Sequence, residues 1–188
     1  NARIGSILEN AGAINIGENS VGMYALDRTG SPSYTGLTKE NYLINSGQII
    51  SSGNNTVGIS STGAEPLVKS EITNNGVISV TGTNTTGIYG SHTNILNTGN
   101  ITAGNGFDTG LILEYAAGII GNNSSINIQS GAIQSGNYSI GAAATGDSVL
   151  NITGGTISVG DNSIFNYIKR GTGTNVTLTD SSGGTYDL

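Results

Sequence analysis

A short phrase built around glycine recurs along the whole chain, and this repeat constrains the fold more than any other feature. A small turn glycine precedes an isoleucine by two residues in six copies, and a tyrosine takes the isoleucine's place in a seventh. The anchor glycines are Gly12, Gly47, Gly76, Gly99, Gly131, Gly155 and Gly184. They are 23 to 35 residues apart. Intervals of this length are typical of solenoids, in which each unit completes its core only by stacking on its neighbours.

Two more positions of the repeat are conspicuous. Asparagine lies two residues before each of the first four anchors, and the last three copies have Gln129, Thr153 and Ser182 there. A second glycine follows the anchor by 10 or 11 residues, at Gly22, Gly58, Gly87, Gly110 and Gly141, with Phe165 in the sixth copy. An asparagine column at a bend predicts a ladder of side-chain amides bonded up and down the stack.

Within a copy, apolar residues alternate over short runs, as in Val77-Ile78-Ser79-Val80, which favours strand over helix. The sequence therefore predicts an all-β chain, a parallel β-helix of six to seven coils. Its internal column is Ile14, Ile49, Ile78, Ile101, Ile133 and Ile157. In the later copies, pairs such as Ile126 and Ile128 precede the anchor one residue out of register, which predicts a bend that gains or loses a residue.

Composition narrows the class of protein. Gly, Asn, Ser and Thr make up just over half of the 188 residues, which alone would also fit a disordered chain, but 24 isoleucines in regular columns favour a fold. The net charge is −6 with no basic stripe, so nucleic acid is not an expected partner. The absence of cysteine excludes disulfides and thiolate metal sites. No apolar run is long enough to span a membrane as a helix.

Three inserted loops are predicted, near residues 26–41, 62–70 and 114–123. The first carries Arg28 and Tyr34, and the third carries Tyr115. Loops held by a rigid scaffold are where binding residues concentrate, although a merely solvated loop is the open alternative. If the loops all follow the same strand of a coil, they emerge on one side of the rod.

Tyrosines on the coils are the other candidates for contact with a partner. Tyr24, Tyr89 and Tyr167 lie two residues after the second glycine and face outward by alternation. Aromatic faces stack on sugars, but the favoured interpretation is that each ring lies beneath a neighbouring loop. The candidate binding residues are Tyr24, Arg28, Tyr34, Tyr89 and Tyr115, and any contact is expected to centre on residues 24 to 40.

Catalysis is not predicted. Glycoside hydrolysis needs two carboxyl groups about 5 to 10 Å apart, yet Glu18 and Asp161 share a column five coils apart. His92, the single histidine, falls in a turn without an acidic residue nearby in sequence. No metal ligand set and no cofactor motif is found.

The phrase Asn15-Ile16-Gly17-Glu18-Asn19-Ser20-Val21-Gly22-Met23-Tyr24-Ala25 resembles one that recurs in the passenger regions of type V autotransporters. It is most similar to the large outer-membrane autotransporter adhesins of fusobacteria, and variants of it begin at Asn54 and Asn84. The resemblance implies a right-handed parallel β-helix at the cell surface. It also implies a tether, an outer-membrane barrel that is absent from this chain, and adhesion to a receptor or glycan on a host cell or partner bacterium.

Because the chain begins and ends within the repeat, we expect it to be a segment of a longer rod. Two other functions stay open at this point. The segment could be a pure spacer in an adhesin stalk, or a β-helix enzyme that degrades polysaccharide.

Overall fold

The computed structural model describes residues 6–26, 41–63, 69–108, 113–170, 177–179 and 185–187. Within these ranges the chain forms strands and no helix. Each coil contributes one strand to each of three parallel sheets, called sheets A, B and C, and the strands of a sheet follow the order of the coils. The predicted parallel β-helix is confirmed, with about six coils. Its right-handed sense stays a prediction.

Twenty-two strands make up the described fold. Sheet A contains β1 (Ile7–Asn10), β4 (Tyr42–Asn45), β7 (Ser70–Asn74), β10 (Thr93–Asn97), β15 (Ser125–Ile128), β18 (Val149–Ile152), β21 (Thr177–Thr179) and β22 (Thr185–Asp187). Sheet B contains β2 (Ala13–Asn15), β5 (Gln48–Ser51), β8 (Val77–Val80), β11 (Asn100–Ala103), β16 (Ala132–Ser135) and β19 (Thr156–Val159). Sheet C contains β3 (Val21–Leu26), β6 (Val57–Thr62), β9 (Thr86–Ser91), β14 (Ala116–Asn122), β17 (Ser139–Gly146) and β20 (Ile164–Arg170). A separate pair joins β12 (Phe107–Asp108) to β13 (Leu113–Glu114).

The isoleucine column predicted from the anchors is confirmed in sheet B. Successive strands pair Ile14, Ile49, Ile78, Ile101, Ile133 and Ile157 directly with one another. Those of the four inner coils are fully buried, and Ile14 and Ile157 are partly buried in the end coils. Branched side chains of this kind fill a pleated internal surface well. The column therefore forms the continuous core that no single coil could bury alone.

The predicted asparagine ladder is also confirmed, at the bend between sheets A and B. The side-chain amide of Asn10 donates to Asn45 at 2.8 Å, Asn45 donates to Asn74 at 2.8 Å, and Asn74 donates to Asn97 at 2.7 Å. All four residues are buried. At the ends of the ladder, Oδ1 of Asn10 accepts from the backbone amide of Gly12, and the amide of Asn97 donates to the carbonyl oxygen of Gly99. Each buried amide therefore has both a donor and an acceptor bond.

The ladder stops at Asn97, and here the sequence reading is corrected. Gln129 and Thr153 do not continue the column, because Ile128 pairs with Asn97 and Ile152 pairs with Ile128. The bend in these later coils holds one more residue, as the shifted register predicted. It closes with Gly131 and Gly155, each at a φ of +80°, a conformation that glycine adopts without strain.

The second glycine column marks a close approach between coils. A β-carbon built on Gly58 would lie 2.5 Å from Cγ2 of Ile78 and 2.6 Å from the carbonyl oxygen of Gly87 in the next coil. The fourth member of the column is Gly118, which meets Gly141 in the same way, so the prediction of Gly110 was wrong. In the sixth coil, Phe165 takes the place of glycine, and in the described chain no sheet B strand stacks beyond that coil.

Two of the three predicted insertions contain residues that the structure does not describe. Residues 27–40 and 64–68, within the loops predicted at 26–41 and 62–70, lie outside the described residues. Both segments connect a sheet C strand to the next sheet A strand.

The third insertion, predicted at 114–123, is corrected, because β14 pairs in parallel register with β9 and β17. The true excursion comes earlier, where β12 and β13 pair antiparallel. It leaves between sheets B and C, so the three insertions do not all follow the same strand.

The seventh copy of the repeat departs from the pattern. Tyr186 pairs antiparallel with Leu178, at the edge of sheet A, and does not extend the isoleucine column. Among the described residues, none belongs to a helix that is long and apolar enough to cross a membrane.

Candidate functional site

The outer face of sheet C carries two outward columns of side chains. The first, which we call the tyrosine column, is Tyr24, Ser60, Tyr89, Ile120, Ala143 and Tyr167. The second, which we call the rim column, is Leu26, Thr62, Ser91, Asn122, Thr145 and Lys169. The predicted alignment of the three tyrosines is confirmed.

Exposure differs along the tyrosine column. Tyr24, in the first coil, is 55% exposed, and Tyr167, in the sixth coil, is 38% exposed. Tyr89 is half-buried and Ala143 is almost fully buried. The exposed tyrosine rings therefore lie at the two ends of the column, and the smallest side chain, Ala143 in the fifth coil, is almost fully buried.

A groove lies between the two columns on this face. It is lined by Tyr89, Ile120, Asn122, Thr145, Gly146 and Lys169, from the third to the sixth coil. One wall, formed by Tyr89 and Ile120, is apolar. The opposite wall presents the amide of Asn122, the hydroxyl of Thr145 and the ammonium group of Lys169. With coils stacked about 4.8 Å apart, Tyr89 and Lys169 are separated by roughly 14 Å along the rod.

Hydrogen bonds fix the polar side of the groove. The hydroxyl of Thr145 donates to Oδ1 of Asn122 at 3.2 Å, so the amide nitrogen of Asn122 is turned away from that bond. Within the described part of the chain, that nitrogen has no protein acceptor and Lys169 has no ion pair. Both groups are therefore free to bind a ligand that enters from solvent.

The bend beside the groove is built from residues in the left-handed conformation. Gly146 has a φ of +65°, and Asn123 and His92 have φ values of 49° and 51°. Nδ2 of Asn123 lies 3.0 Å from Nε2 of His92, and its Oδ1 accepts from the backbone amide of Asp147 at 2.8 Å. His92 is thus the turn residue that the sequence predicted. These contacts hold the open edge of the groove in place.

The five residues predicted to bind a partner are not brought together. Tyr24 lies on the outer face of the first coil, and Tyr89 lies two coils away in the groove. Tyr115 is half-buried in the link between β13 and β14, at the other end of the sheet C strands. Arg28 and Tyr34 fall outside the described residues, so their place beside Tyr24 stays a prediction.

Asn122, Thr145 and Lys169 were missed as site residues. Lys169 is adjacent to Arg170 in the sequence, and an isolated basic pair does not by itself indicate a binding site. The signal that would have found the groove is the coil register: once Gly118 is taken as the repeat glycine, Ile120 and Asn122 fall in the outward columns of neighbouring coils.

The acidic residues Glu18 and Asp161, which share a column, are far apart along the rod, whereas Asp108 and Glu114 lie on the paired strands β12 and β13. Across the described ranges, no three His, Cys, Asp or Glu residues lie close enough together to hold a metal ion. Glu18 and Asp161 occupy the first and sixth coils, so about 24 Å separates them at the usual coil rise. That separation is far beyond the spacing of a carboxyl pair that cleaves glycosidic bonds.

Comparison with known proteins adds no relative: no protein-family model, no curated protein and no solved structure matches the chain.

Proposed function

We propose that this chain is a surface-exposed segment of an autotransporter passenger that acts in bacterial adhesion and catalyses no reaction. It would be held outside the cell by an outer-membrane barrel beyond these residues, and its partner would be a receptor or glycan on a host cell or another bacterium. The observation that carries the proposal is the parallel β-helix itself. It is built from the repeated phrase that resembles the passengers of adhesins.

Charge and surface chemistry support binding over catalysis. The chain has 12 acidic and 6 basic residues, and the acidic groups Glu18 and Asp161 are five coils apart. The exposed ring of Tyr24 lies just before the longest predicted insertion. Tyrosine and arginine are the residues on which protein interfaces most often depend, and residues 24 to 40 hold Tyr24, Arg28 and Tyr34.

The proposal is tested with beads coated with the purified segment and applied to epithelial cells and to partner bacteria. Adherence should saturate with bead number and should be abolished by excess soluble segment. Beads coated with an unrelated β-solenoid of similar charge are the control. Equal adherence of the two kinds of bead would contradict adhesion and would favour the spacer.

Replacing residues 27–39 with a short Gly-Ser turn should leave the coil stack folded and reduce adherence at least fivefold. Folding should survive because each coil of a solenoid contacts only its neighbours. Melting temperature is read by circular dichroism and adherence by the bead assay. The matched control replaces residues 64–68 with the same turn and should adhere like the wild type. Undiminished adherence of the first variant would remove residues 27–39 from the contact surface.

A further inference from the structure

We infer that the groove on sheet C is a binding site for an acidic oligosaccharide, lying along the rod between Tyr89 and Lys169. None of its described lining residues belongs to the contact surface proposed at residues 24 to 40. The site requires neither the receptor nor the membrane tether, so it can be tested on the purified segment alone.

The shape of the groove favours an extended ligand. Its lining residues come from four successive coils, so a bound chain would run parallel to the rod axis for roughly 14 Å. A single small molecule would leave most of that length empty, whereas a short oligosaccharide would occupy it. The floor stays low because the fifth coil presents Ala143 and Gly146, which have a methyl group and no side chain, respectively.

The two walls match the two faces of a sugar ring. A pyranose has an apolar face of C–H groups and an edge of hydroxyl groups. Tyr89 and Ile120 offer an apolar wall, with a phenol at its end that can also hydrogen-bond. Opposite them, the free amide hydrogens of Asn122 and the hydroxyl oxygen of Thr145 can pair with sugar hydroxyls. Ligand sites commonly combine an apolar lining with a few fixed polar groups in this way.

Lys169 selects an acidic ligand over a neutral one. It is exposed at one end of the groove and has no ion pair in the described part of the chain, in a protein whose net charge is −6. Among the residues that the structure describes, no acidic side chain lines the groove. A carboxylate of a uronic or sialic acid would therefore meet a cation there. Nucleic acid is disfavoured, because one lysine cannot neutralise a row of phosphates on an acidic protein.

Isothermal titration calorimetry of the wild-type segment with hyaluronan tetrasaccharide, tetragalacturonate and sialyllactose tests the site. At least one of these probes should bind saturably, with a Kd on the order of 1 mM or tighter. Methyl esterification of its carboxylates should weaken binding about fivefold or more. Raising the salt concentration should also weaken binding, because the lysine is exposed to solvent and screened by ions.

Three variants test the site and two serve as controls. Tyr89→Ala should raise the Kd about tenfold, and Lys169→Gln should remove the preference for the free acid over its ester. Thr145→Tyr should fill the groove and abolish saturable binding. Tyr24→Ala, in the same column but outside the groove, should bind like the wild type. Lys69→Gln, which removes an exposed lysine elsewhere, is the control for charge.

The inference is overturned if no probe binds saturably, if the ester binds as tightly as the acid, or if Thr145→Tyr binds like the wild type while its melting temperature is unchanged. The variant lacking residues 27–39 keeps the two proposals apart. It should bind the oligosaccharide normally even though it adheres poorly. If beads coated with the wild-type segment did not adhere above the control while the wild-type segment still bound the oligosaccharide, the adhesion proposal would fail and the groove site would stand.

Discussion

Ile49→Asp should unfold the coil stack, whereas Ile50→Asp, one residue along the same strand, should leave it folded. The two side chains point to opposite faces of sheet B. Ile49 is fully buried between Ile14 and Ile78, and Ile50 is 39% exposed on the outer face. A carboxylate at position 49 would have no partner in the core, whereas one at position 50 would be hydrated by solvent.

The expected difference between the two variants is large. Loss of a buried isoleucine and the cavity it leaves costs about 2 to 5 kcal/mol, and an unpaired buried acid adds more. Domains of this size are stable by only about 5 to 15 kcal/mol. Ile49→Asp should therefore show no cooperative thermal transition. Ile50→Asp should lose about 1 kcal/mol, the scale of the low strand propensity of aspartate.

Because both variants place the same residue in the same strand, the difference between them reports burial alone. Circular dichroism during heating and during urea titration gives the comparison. Similar melting temperatures for the two variants would show that the isoleucine column is not the core.

Gly58→Ala should destabilise the stack strongly, although it adds a single methyl group. The new carbon would lie 2.5 Å from Cγ2 of Ile78 and 2.6 Å from the carbonyl oxygen of Gly87. The second neighbour is backbone, so it cannot turn aside as the end of a flexible side chain could. Overpacking of this kind costs about 1 to 3 kcal/mol when side chains can move, so we expect the upper end of that range or more.

Gly17→Ala is the matched control, since a β-carbon on Gly17 would meet no atom within 4 Å. This variant should be neutral or gain up to about 1 kcal/mol from the lower entropy of the unfolded chain. The urea concentration at the midpoint of denaturation should therefore fall for Gly58→Ala and stay unchanged or rise for Gly17→Ala. Equal stability of the two variants would show that successive coils do not approach each other closely at Gly58.

Most of the stack could be predicted from the sequence because its columns are made by residues with one structural role. Six isoleucines at a fixed distance from the anchors predicted sheet B, and four asparagines predicted the ladder. Both assignments depend only on alternation and on the bend that precedes the strand. Both assignments are correct in the coils whose bend has the same length. In the later coils the bend has one more residue, so Gln129 and Thr153 were wrongly assigned to the asparagine column.

The groove could not be predicted from the sequence, because its position depends on the register of the fourth coil. The hairpin formed by β12 and β13 adds residues before β14, and this displaced the repeat glycine from the predicted Gly110 to Gly118. With that error, Asn122 fell in a supposed loop, and its contact with Thr145 was invisible. A site made by neighbours 23 residues apart in sequence appears only when the coils are correctly stacked.

The most direct test that the folded coils form a ligand-binding surface is two-dimensional NMR of the isotope-labelled segment. The segment is titrated with the acidic oligosaccharide that binds most tightly in the calorimetric titrations. The backbone amide signals of Tyr89, Ile120, Asn122, Gly146 and Lys169 should shift saturably with a common Kd. Those of Tyr24 and Ser60, on the same face in the first two coils, should stay in place. Saturable shifts confined to residues 24 to 41, or no saturable shift anywhere on sheet C, would contradict binding by the coils.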